Sequence, residues 1–560
     1  MKNWNILSKL KTQNSKLKID ELINLLLENR NIKTKKEKDN FLNPRLEEVT
    51  IESVGIDKKQ LAKALKRINQ AIKNKEEIVI FGDYDVDGIT GAAILWETLH
   101  DFGAKVLPHI PHRIDEGYGL SVIGIENAKI KSPDLKLIIT DDNGIVAYEA
   151  VDYANSLGID VIITDHHVPG ETLPKAHSII HTVKLCGAGV AYLLSQELRT
   201  KNYKLRTNED THLELAALGT IADMVPLTDG NRTIVKHGLL KIGQTNRPGL
   251  LALFNQSGLE SKTFTPYEVG YIIAPRLNAA GRIESGMDSL RLICTTDQTR
   301  AKELAEKLEL INKERQLILK QASEHAVQEV QKLMTKDQRL IFVSNENYQP
   351  GVIGLVAGKL VEEFYLPSIV LSIGETHSKA SARSINGFNL IEFLRLHTDH
   401  FLNVGGHPMA AGFTVETAKL DLLKKLLENS AKDLLNETIL TRSLKIDCEL
   451  SLQEIDQNLY DSIQTLSPFG MGNPEPTFAS TDVEVKDFKL LGKDKTHLKL
   501  MLKQDNSQTI EAIAFRMSEH STNLTVGDKI NIAYTIDENV WNGNTKLQLK
   551  IKDIKLQNDK

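Results

Sequence analysis

The sequence predicts an α/β protein with a parallel-sheet domain, a second α/β domain joined to it by a long helix, and a small C-terminal β-barrel. Three observations lead to this prediction. Strands alternate with helices from Glu77, the alternation resumes near Arg339, and short strands with polar turns follow Leu444. At 560 residues the chain is also too long for one hydrophobic core, so we expect several domains.

Residues 1–75 are predicted to form a small, charged and mostly helical N-terminal segment. Lysines are frequent in it, as at Lys35 and Lys63. A solvated helical face explains them, and we favour it over the alternative of a nucleic-acid-binding patch. The net charge of the whole chain is −5, which gives no global basic signature of a nucleic-acid binder but leaves a local one open.

Residues 76–235 show the strongest pattern of short apolar strands separated by helices. This spacing predicts a parallel sheet with helices on its faces. Right-handed crossovers place the C-terminal ends of such strands along one edge, where ligands bind. The predicted strands are Ile78–Phe81, Lys105–Ile110, Leu135–Thr140 and Asp160–Thr164, and the predicted helices are Thr90–His100, Ser121–Ile130 and Ala147–Ser156.

Residues 236–336 are predicted to be a helical connector that ends in a long helix over Thr299–Met334. Apolar residues recur at helical spacing along it, which favours a helix packed on a core. The second α/β domain is predicted over 337–440, with strands Leu340–Ser344 and Ser368–Ser372 around the helix Ile353–Phe364.

Residues 441–560 favour a β-domain because about five short strands are separated by polar turns. This pattern is typical of a small barrel of the OB-fold type. The predicted strands are Thr481–Lys486, His497–Lys503, Thr509–Phe515, Lys529–Thr535 and Leu547–Ile554.

The cysteines and the apolar segments indicate a cytoplasmic protein. Cys186, Cys294 and Cys448 are scattered, so they form neither a disulfide framework nor a zinc cluster, and we interpret them as small buried hydrophobic residues. The first ten residues lack a signal-peptide pattern, and no stretch approaches the roughly 20 apolar residues of a spanning helix.

Acidic residues and histidines follow the predicted strands of the first domain and suggest a metal site. Asp83, Asp85 and Asp87 follow the first strand, Asp141 and Asp142 follow a later one, and Asp165-His166-His167 follow the next; Asp223 lies further along the chain. Carboxylates crowded at one sheet edge repel one another unless a cation lies among them. Taken alone, Asp87 and Asp165 are equally well explained as helix N-caps.

The mixture of carboxylates and imidazoles suits Mn²⁺ or Mg²⁺ better than a thiolate-rich zinc site. We expect two ions a few ångströms apart. Such a pair lowers the pKa of a bridging water and stabilises both oxygens of an in-line phosphoryl displacement.

With its other motifs the chain resembles the DHH phosphoesterase superfamily and, within it, the RecJ family of single-strand-specific DNA exonucleases. The resemblance covers almost the whole chain from about residue 75, and the motifs follow the family's order. They are Gly82-Asp83-Tyr84-Asp85-Val86-Asp87-Gly88, Glu116-Gly117-Tyr118-Gly119-Leu120, Ile163-Thr164-Asp165-His166-His167, Gly219-Thr220-Ile221-Ala222-Asp223, Ala274-Pro275-Arg276-Leu277-Asn278-Ala279-Ala280-Gly281-Arg282, Gly351-Val352-Ile353-Gly354, Ser381-Ala382-Arg383-Ser384, Gly405-Gly406-His407 and Pro468-Phe469-Gly470-Met471-Gly472-Asn473-Pro474.

The resemblance implies a DHH domain, a DHHA1 domain, an active site in the cleft between them, and an OB-fold that completes a ring around single-stranded DNA. The implied activity is 5′-to-3′ hydrolysis of single-stranded DNA to mononucleotides with Mn²⁺ or Mg²⁺, in DNA repair and recombination. Single-strand-binding protein and a helicase are the protein partners that we expect, with a monomer as the default.

The resemblance also implies roles for individual residues, carried over motif by motif. The implied metal ligands are Asp83, Asp85, Asp142, His166 and Asp223. His167 and His407 are implied to stabilise charge near the scissile phosphate, beside the catalytic ligand Asp142. The residues implied to bind the 5′ phosphate or line the DNA path are Arg113, Arg276, Asn278, Arg282, Ser381, Arg383, Gly405 and Gly406. For Arg276 and Arg282 the alternative is a surface ion pair.

Several positions depart from the family pattern. Phe81 stands where many relatives carry a histidine that touches the second metal, so that ion is expected to bind more loosely or to depend on Asp83 and Asp85. Asp141 replaces a small apolar residue and is expected to recruit a cation or raise the pKa of a neighbouring group.

Two further differences lie outside the metal motifs. The loop after His177 is shorter than usual, and Tyr348-Gln349 replaces a Trp-His pair. All five implied ligands remain, so we expect an active enzyme.

Two other functions stay open at this point. One is a phosphodiesterase of the same superfamily that acts on short oligoribonucleotides or cyclic dinucleotides; those enzymes generally lack the C-terminal β-domain. The other is a non-catalytic single-strand-binding relative, although such proteins have lost metal-site acids that are present here.

Overall fold

The computed structural model describes residues 2–8, 18–113, 115–201, 211–259, 263–335, 337–541 and 544–556. Its contacts divide the chain into two compact units. The larger unit comprises Val49–Val225 and His237–Arg442, and the smaller one comprises Met1–Glu48, Pro226–Lys236 and Ser443–Lys560. The N-terminal segment predicted over 1–75 is described only over 2–8 and 18–75.

The first sheet of the larger unit contains five parallel strands, as the alternation of strands and helices predicts. The three inner strands have nearly continuous buried runs, because helices cover both faces of a parallel sheet, whereas burial is interrupted along the two edge strands. The strand Ser178–His181 at one edge was not predicted. In spatial order the strands are Lys105–His109, Glu77–Phe81, Leu135–Thr140, Asp160–Asp165 and Ser178–His181.

The helices next to this sheet lie close to their predicted positions, with one difference at the first crossover. That helix begins at Val86, not at Thr90, because the Asp85 carboxylate accepts hydrogen bonds from the backbone N–H groups of Asp87 and Gly88 and so caps an earlier start. The helices are Ile51–Val54, Lys58–Asn74, Val86–Asp101, Val122–Lys131 and Tyr148–Ser156.

The connector is helical, as predicted, and ends in a helix of 36 residues, Gln298–Leu333. At about 1.5 Å per residue this helix is about 54 Å long. Its buried positions, among them Leu304 and Leu308, form the expected apolar stripe. The preceding helices are Gly187–Lys201, Leu213–Ala222, Asp229–Gly243, Pro248–Ser257, the π-helical turn Glu268–Ile273, Ala274–Ile283 and Met287–Cys294.

The second sheet is mixed, with one parallel pair and three further strands that are antiparallel. The helix Ile353–Phe364 and the first two strands agree with the predictions. In spatial order the strands are Asn403–His407, Ala410–Glu416, His377–Arg383, Ser368–Ser372 and Ile341–Asn345, and the remaining helices are Leu390–Arg395, Leu420–Leu434 and Glu437–Leu440.

The smaller unit is built on a closed ring of five strands, which agrees with the predicted OB-fold type. The strand Phe478–Leu491 pairs both with His497–Lys503 and with Lys529–Trp541, and so closes the ring. The other members are Ile510–Ala514 and Asn544–Leu556, and the flanking elements are Ser443–Ile446, Cys448–Glu449 and the helix Gln457–Gln464.

The N-terminal residues differ from the prediction, since residues 1–48 belong to the smaller unit and 1–75 is not a segment of its own. Leu22, Leu26 and Leu27 are at most 1% exposed and join the core of the β-domain. An amphipathic helix must bury its apolar side, and here the partner comes from the opposite end of the sequence. The strand Asn3–Ile6 likewise pairs with Ser443–Ile446, and the helices are Ile19–Asn29 and Lys35–Leu42.

Cysteine burial agrees with the sequence prediction. All three cysteines lie in the described part of the chain and none is in a disulfide; Cys186 and Cys448 are buried and Cys294 is partly buried. Among the described residues, no helix combines the length and the apolar character that crossing a membrane requires.

A buried ionic network holds the connector against the first crossover helix. The Glu97 carboxylate accepts two hydrogen bonds from the Arg247 guanidinium, at 2.6 and 2.8 Å, and lies 2.9 Å from Nε2 of His212. Burial opposes ionisation of Glu97, but the contacts with His212 and Arg247 outweigh it and lower its pKa from 4.5 to about 2.

We expect this network to stabilise the larger unit above about pH 4 and to lose its effect in acid. A carboxyl group whose folded pKa is depressed stabilises the fold above its unfolded pKa, and this contribution disappears as the pH falls towards the folded value. The shift corresponds to about 3 kcal/mol. In the Glu97→Gln variant, the unfolding free energy measured by urea titration should fall by about this amount at pH 7 and change less between pH 5 and pH 2. If the unfolding free energy of Glu97→Gln changed between pH 5 and pH 2 as much as that of the parent protein, Glu97 would not be the group responsible. The exposed Glu149→Gln is the control.

Candidate metal centre and phosphate pocket

The predicted metal ligands meet at the C-terminal edge of the first sheet. Asp83 and Asp85 follow the strand Glu77–Phe81, Asp142 follows Leu135–Thr140, and His166 follows Asp160–Asp165. Asp223 caps the C-terminal end of the helix Leu213–Ala222. Parallel topology brings together the residues that follow the strands, and the helix Leu213–Ala222 adds Asp223, which is 140 positions after Asp83 in the sequence.

The ligand atoms form overlapping groups of three. Nε2 of His166 lies 3.0 Å from Oδ1 of Asp142 and 3.7 Å from Oδ2 of Asp223. Within each group the candidate ligand atoms are within 4.8 Å of one another. The groups are Asp83 with Asp85 and Asp142, Asp142 with His166 and His167, and Asp87 with His166 and Asp223.

These donor atoms fit divalent cations because they are buried and lack other partners. Oδ1 of Asp83 is buried without a hydrogen-bond partner among the residues that the structure describes. Oδ1 of Asp142 and Nε2 of His166 are also buried and, although 3.0 Å apart, are not aligned for a hydrogen bond with each other. Burial and then the neighbouring carboxylates raise the pKa of Asp83 and Asp142 well above the usual range, and that of Asp223 to about 9. Such a set of acids is stable in its ionised form when positive charge is placed among them.

The geometry of Asp142 depends on unusual backbone. Its φ is 61°, in the left-handed region that asparagine and aspartate adopt more readily than other side chains. Gly187 packs directly on it, and a Cβ atom at that glycine would lie 2.6 Å from Cβ of Asp142. Any side chain at position 187 would therefore displace this ligand.

Asp87 and Asp165 act on neighbouring groups as well as lying at the site. The Asp87 carboxylate accepts hydrogen bonds from the N–H groups of Gly187 and Ala188, at 2.7 and 2.9 Å, and so caps the helix Gly187–Lys201. Its Oδ2 also lies 3.7 Å from Nε2 of His166. Asp87 is thus not the N-cap of its own helix, where Asp85 has that position, but its carboxylate caps a distant helix and it still belongs to one of the metal groups.

His167 is held by two partners and faces the second α/β domain. Its Nδ1 lies 2.8 Å from Oδ1 of Asp165, and its Nε2 lies 3.0 Å from the Tyr118 hydroxyl. Burial disfavours the imidazolium, but the bond to Asp165 and the nearby carboxylates outweigh it and raise the pKa of His167. The ring stacks on His407 with centroids 6.0 Å apart.

The glycines before His407 allow close approach of two strands. Gly406 has φ 136°, and a Cβ atom there would lie 2.5 Å from Cα of Ala411 on the paired strand. Gly405 has open space beside it. Partial burial and the adjacent His167 lower the pKa of His407, which favours a neutral imidazole that can donate or accept a proton.

The two departures from the family pattern are both fully buried side chains. The Phe81 side chain is fully buried in the apolar core and stacks on His109 at 4.8 Å. Asp141 is fully buried against Gly91 and Thr164, and burial raises its pKa well above the usual range. Neither residue belongs to the metal groups found among the described residues.

A cluster of arginines lies beside the metal groups. The Arg113 guanidinium lies over the Tyr84 ring at 5.1 Å, and Nη1 of Arg383 lies 3.3 Å from Oγ of Ser381. Arg282 donates to the carbonyl of Gly351 at 3.2 Å. Burial and then the charges of Arg113 and Arg315 lower the pKa of Arg282 to about 10.

The arginine cluster concentrates positive charge that an anion would compensate. Arg113, Arg282, Arg315 and Arg383 make no ion pair with any carboxylate in the parts of the chain that the structure describes, although Arg315 is only 9% exposed. Unpaired buried cations are costly, and a phosphate would compensate them. Sequence reasoning missed Arg315 because a single arginine in a long polar helix gives no signal until the fold shows what it faces.

Arg276 and Asn278 have structural partners within the same unit. Arg276 forms an ion pair with Glu309 at 2.7 Å and donates to the carbonyl of Ile272. Oδ1 of Asn278 accepts a hydrogen bond from the backbone N–H of Val86, at the start of the metal-site helix. Their contact with DNA stays a prediction.

Comparison with protein-family models finds three matches along the chain. Residues 77–220 match the DHH family N-terminal domain, residues 337–433 match the DHHA1 domain, and residues 446–553 match the RecJ OB domain. These ranges fall within the domains predicted over 76–235, 337–440 and 441–560. The first predicted domain carries the metal groups, and the arginine cluster draws on the first two domains and on the connector between them.

Similar proteins support the same assignment over most of the chain. The single-stranded-DNA-specific exonuclease RecJ of Bacillus subtilis is 39% identical over 506 residues, which span 88% of this chain and 63% of that protein. The protein of the same name from Haemophilus influenzae is 31% identical, with 88% and 90% covered. The chain thus spans less than two thirds of the Bacillus relative and nearly all of the Haemophilus one.

Solved structures agree with the sequence relatives. Crystal structures of RecJ from Thermus thermophilus in complex with Mn²⁺ and with Mg²⁺ superpose with TM-scores of 0.82 and 0.76, at 28% and 27% identity. The matches cover 99% of this chain and 79% and 78% of those chains. The overall fold of this chain, from the first sheet to the β-domain, is therefore found in crystallised relatives that bind these metals.

Proposed function

Because the chain belongs to the RecJ family, we propose that it is a single-stranded-DNA-specific exonuclease that removes nucleotides from the 5′ end with Mn²⁺ or Mg²⁺. The observation that carries this proposal is the position of the arginine cluster beside the buried carboxylates. An anion pocket next to a metal site suits a phosphodiester that is held at its end and cut one position further along.

The metal groups supply the electrostatic part of the chemistry. Asp83, Asp85, Asp142, His166 and Asp223 would hold two ions, which when bound lower the pKa of a water and stabilise charge on the phosphoryl oxygens. His166 has a lowered pKa, chiefly through burial, and is therefore neutral and able to bind metal.

The two stacked histidines stabilise and redistribute charge at the scissile phosphate. His167 has a raised pKa through Asp165, so it carries positive charge more readily and offers a donor to a phosphoryl oxygen. His407 has a lowered pKa and supplies a neutral ring on the opposite side of the cleft. The pair thus combines a charge-stabilising group with a group suited to proton transfer.

The arginine cluster sets the polarity of the reaction. Arg113, Ser381 and Arg383 bind the terminal 5′ phosphate, and Arg282 and Arg315 add positive charge from the connector. Arg276, Asn278, Gly405 and Gly406 contact the strand beyond this phosphate. Selection of single strands, a contribution of the OB domain to binding, release of mononucleotides, and service in DNA repair and recombination belong to the same proposal.

The proposal extends to location and assembly. We expect a cytoplasmic monomer that works with single-strand-binding protein and a helicase, because a single-strand exonuclease needs a source of unwound DNA. The three unpaired cysteines suit a reducing compartment.

The deciding experiment follows cleavage of single-stranded DNA labelled at the 5′ or the 3′ end, in Mn²⁺ and in chelator. We expect immediate release of a labelled mononucleotide from the 5′ label, progressive shortening of the 3′-labelled strand, slow cleavage of duplex, and no cleavage in chelator. Preferred turnover of a dinucleotide would favour the phosphodiesterase alternative. No cleavage with either metal would favour a binding protein.

A further inference from the structure

We propose that Tyr267 and Tyr271 form a stacking platform for the bases of single-stranded DNA behind the cleavage site. The two rings are themselves stacked, with centroids 5.1 Å apart and planes inclined by 26°. The residues are 60% and 73% exposed, which is high for large aromatic side chains. Binding of a strand at this surface rests on the proposed function and extends the substrate contact beyond the metal site.

The two tyrosine rings are preorganised to bind planar ligands. Both residues lie at the π-helical turn Glu268–Ile273, a local geometry that is rare and occurs frequently at functional sites. The turn brings side chains four positions apart into line, so the rings present one extended π surface. Neither hydroxyl has a hydrogen-bond partner among the described residues, so the rings have no polar anchor elsewhere in the fold.

The platform is continuous with the metal site through one helical segment. The π-helical turn leads without a break into the helix Ala274–Ile283. In that helix Asn278 accepts from the N–H of Val86, and Gly281 packs on the carbonyl of Tyr84. Tyr271 is seven positions and Tyr267 eleven positions before Asn278, which at about 1.5 Å per residue places them about 10 and 16 Å along the helix from this contact with the metal-site loop.

The other side of the same turn contacts the helix that ends at a metal ligand. A Cβ atom at Gly270 would lie 3.9 Å from Cγ2 of Ile221, two residues before Asp223. The turn is therefore fixed both to the loop of Asp83 and Asp85 and to the helix of Asp223. A strand whose 5′ end occupies the arginine cluster reaches the tyrosines a few nucleotides further on.

Single-stranded DNA is the occupant that fits this surface. Every base has a π face, so aromatic stacking gives affinity without sequence preference, at about 1–3 kcal/mol per base. The alternative is that the rings only stabilise their own helix, as aromatic side chains four positions apart can do. If this alternative holds, removing the rings lowers the stability of the protein but leaves the dependence of the reaction on strand length unchanged.

The test compares long and short substrates in the double variant Tyr267→Ala/Tyr271→Ala. For a long oligothymidylate with a 5′ phosphate we expect KM to rise about 5- to 100-fold with kcat retained at saturation. A 5′-phosphorylated dinucleotide does not reach the platform, so its kinetic constants should stay unchanged. The variant Tyr267→Phe/Tyr271→Phe keeps both rings and should behave like the parent protein.

Binding in chelator separates this proposal from the proposed function. Strands with single 2-aminopurine substitutions should show quenched fluorescence at a few positions behind the 5′ end; the quenching should persist in the Phe variant and disappear in the Ala variant. This readout needs no cleavage, so it decides the proposal even if the protein proves not to be a nuclease. A long-strand KM within twofold of the parent value, or equal losses on long and short substrates, would overturn the platform.

Discussion

The Asp142→Asn variant is expected to lose Mn²⁺-dependent cleavage of single-stranded DNA by about a thousandfold or more. Asp142 belongs to two of the three metal groups, so it is the carboxylate best placed to serve both ions. Losing a group that only supports a ligand costs about 10- to 100-fold, and a shared ligand should cost more. Asparagine is the appropriate replacement because it keeps the side-chain shape and tolerates the φ of 61°.

The same variant should be more stable than the parent protein when metal is absent. Replacing the buried carboxylate of Asp142 with an amide removes its repulsion with Asp83, Asp85 and Asp223. We therefore expect a higher Tm in chelator and a smaller rise in Tm on adding Mn²⁺, measured by calorimetry. The exposed Asp152→Asn is the control. Retention of more than a tenth of the activity would show that Asp142 is not a shared ligand.

The Arg383→Ala variant should lose its preference for a phosphorylated 5′ end. Hydrogen bonds to charged groups contribute about 1.5–3 kcal/mol. We expect the ratio of kcat/KM for 5′-phosphorylated over 5′-hydroxyl strands to fall about 10- to 100-fold. The 5′-hydroxyl substrate should be affected little, because it lacks the group that Arg383 binds. The measurement compares initial rates on the two strands in Mn²⁺.

Two further variants make this assignment specific. Arg395→Ala removes an exposed arginine from the same domain and should leave the ratio unaltered. Ser381→Ala removes the Oγ that lies 3.3 Å from Arg383 and should lower the ratio by a smaller factor. An equal loss on both substrates in Arg383→Ala would assign the residue to the scissile phosphate in place of the terminal one.

The convergence of the strand-end acids and His166 could be predicted from the sequence, because the parallel topology of the sheet determines it. Strand ends of a parallel sheet meet at one edge, so Asp83, Asp142 and His166 converge wherever the intervening helices lie. The first sheet was predicted with one strand missing, since Ser178–His181 is only four residues long and follows a turn without helical spacing. A short edge strand forms because it pairs with the adjacent strand, so its own sequence carries no pattern from which it could be predicted.

Contacts between distant segments could not be predicted in the same way. The partners of Arg276 and Asn278 lie on other helices. No local sequence pattern predicts that Arg276 pairs with Glu309 or that Asn278 bonds the N–H of Val86. From the sequence, Phe81 and Asp141 were expected to alter metal binding, because the sequence does not show where a side chain points. Phe81 is a core residue that stacks on His109, whereas Asp141 is a buried carboxylate whose Oδ2 has no hydrogen-bond partner among the described residues, so its effect on the metal site stays a prediction.

The N-terminal helix Ile19–Asn29 completes the core of a β-domain that is synthesised about 400 residues later. Arg30 and its partner Asp447 are 417 positions apart. At translation rates of about 5–20 residues per second, about 20 to 80 seconds pass between the appearance of the two. During this interval Leu22, Leu26 and Leu27 have no β-domain to cover them. The nascent chain therefore exposes an apolar helix that a ribosome-associated chaperone can hold until the β-domain emerges.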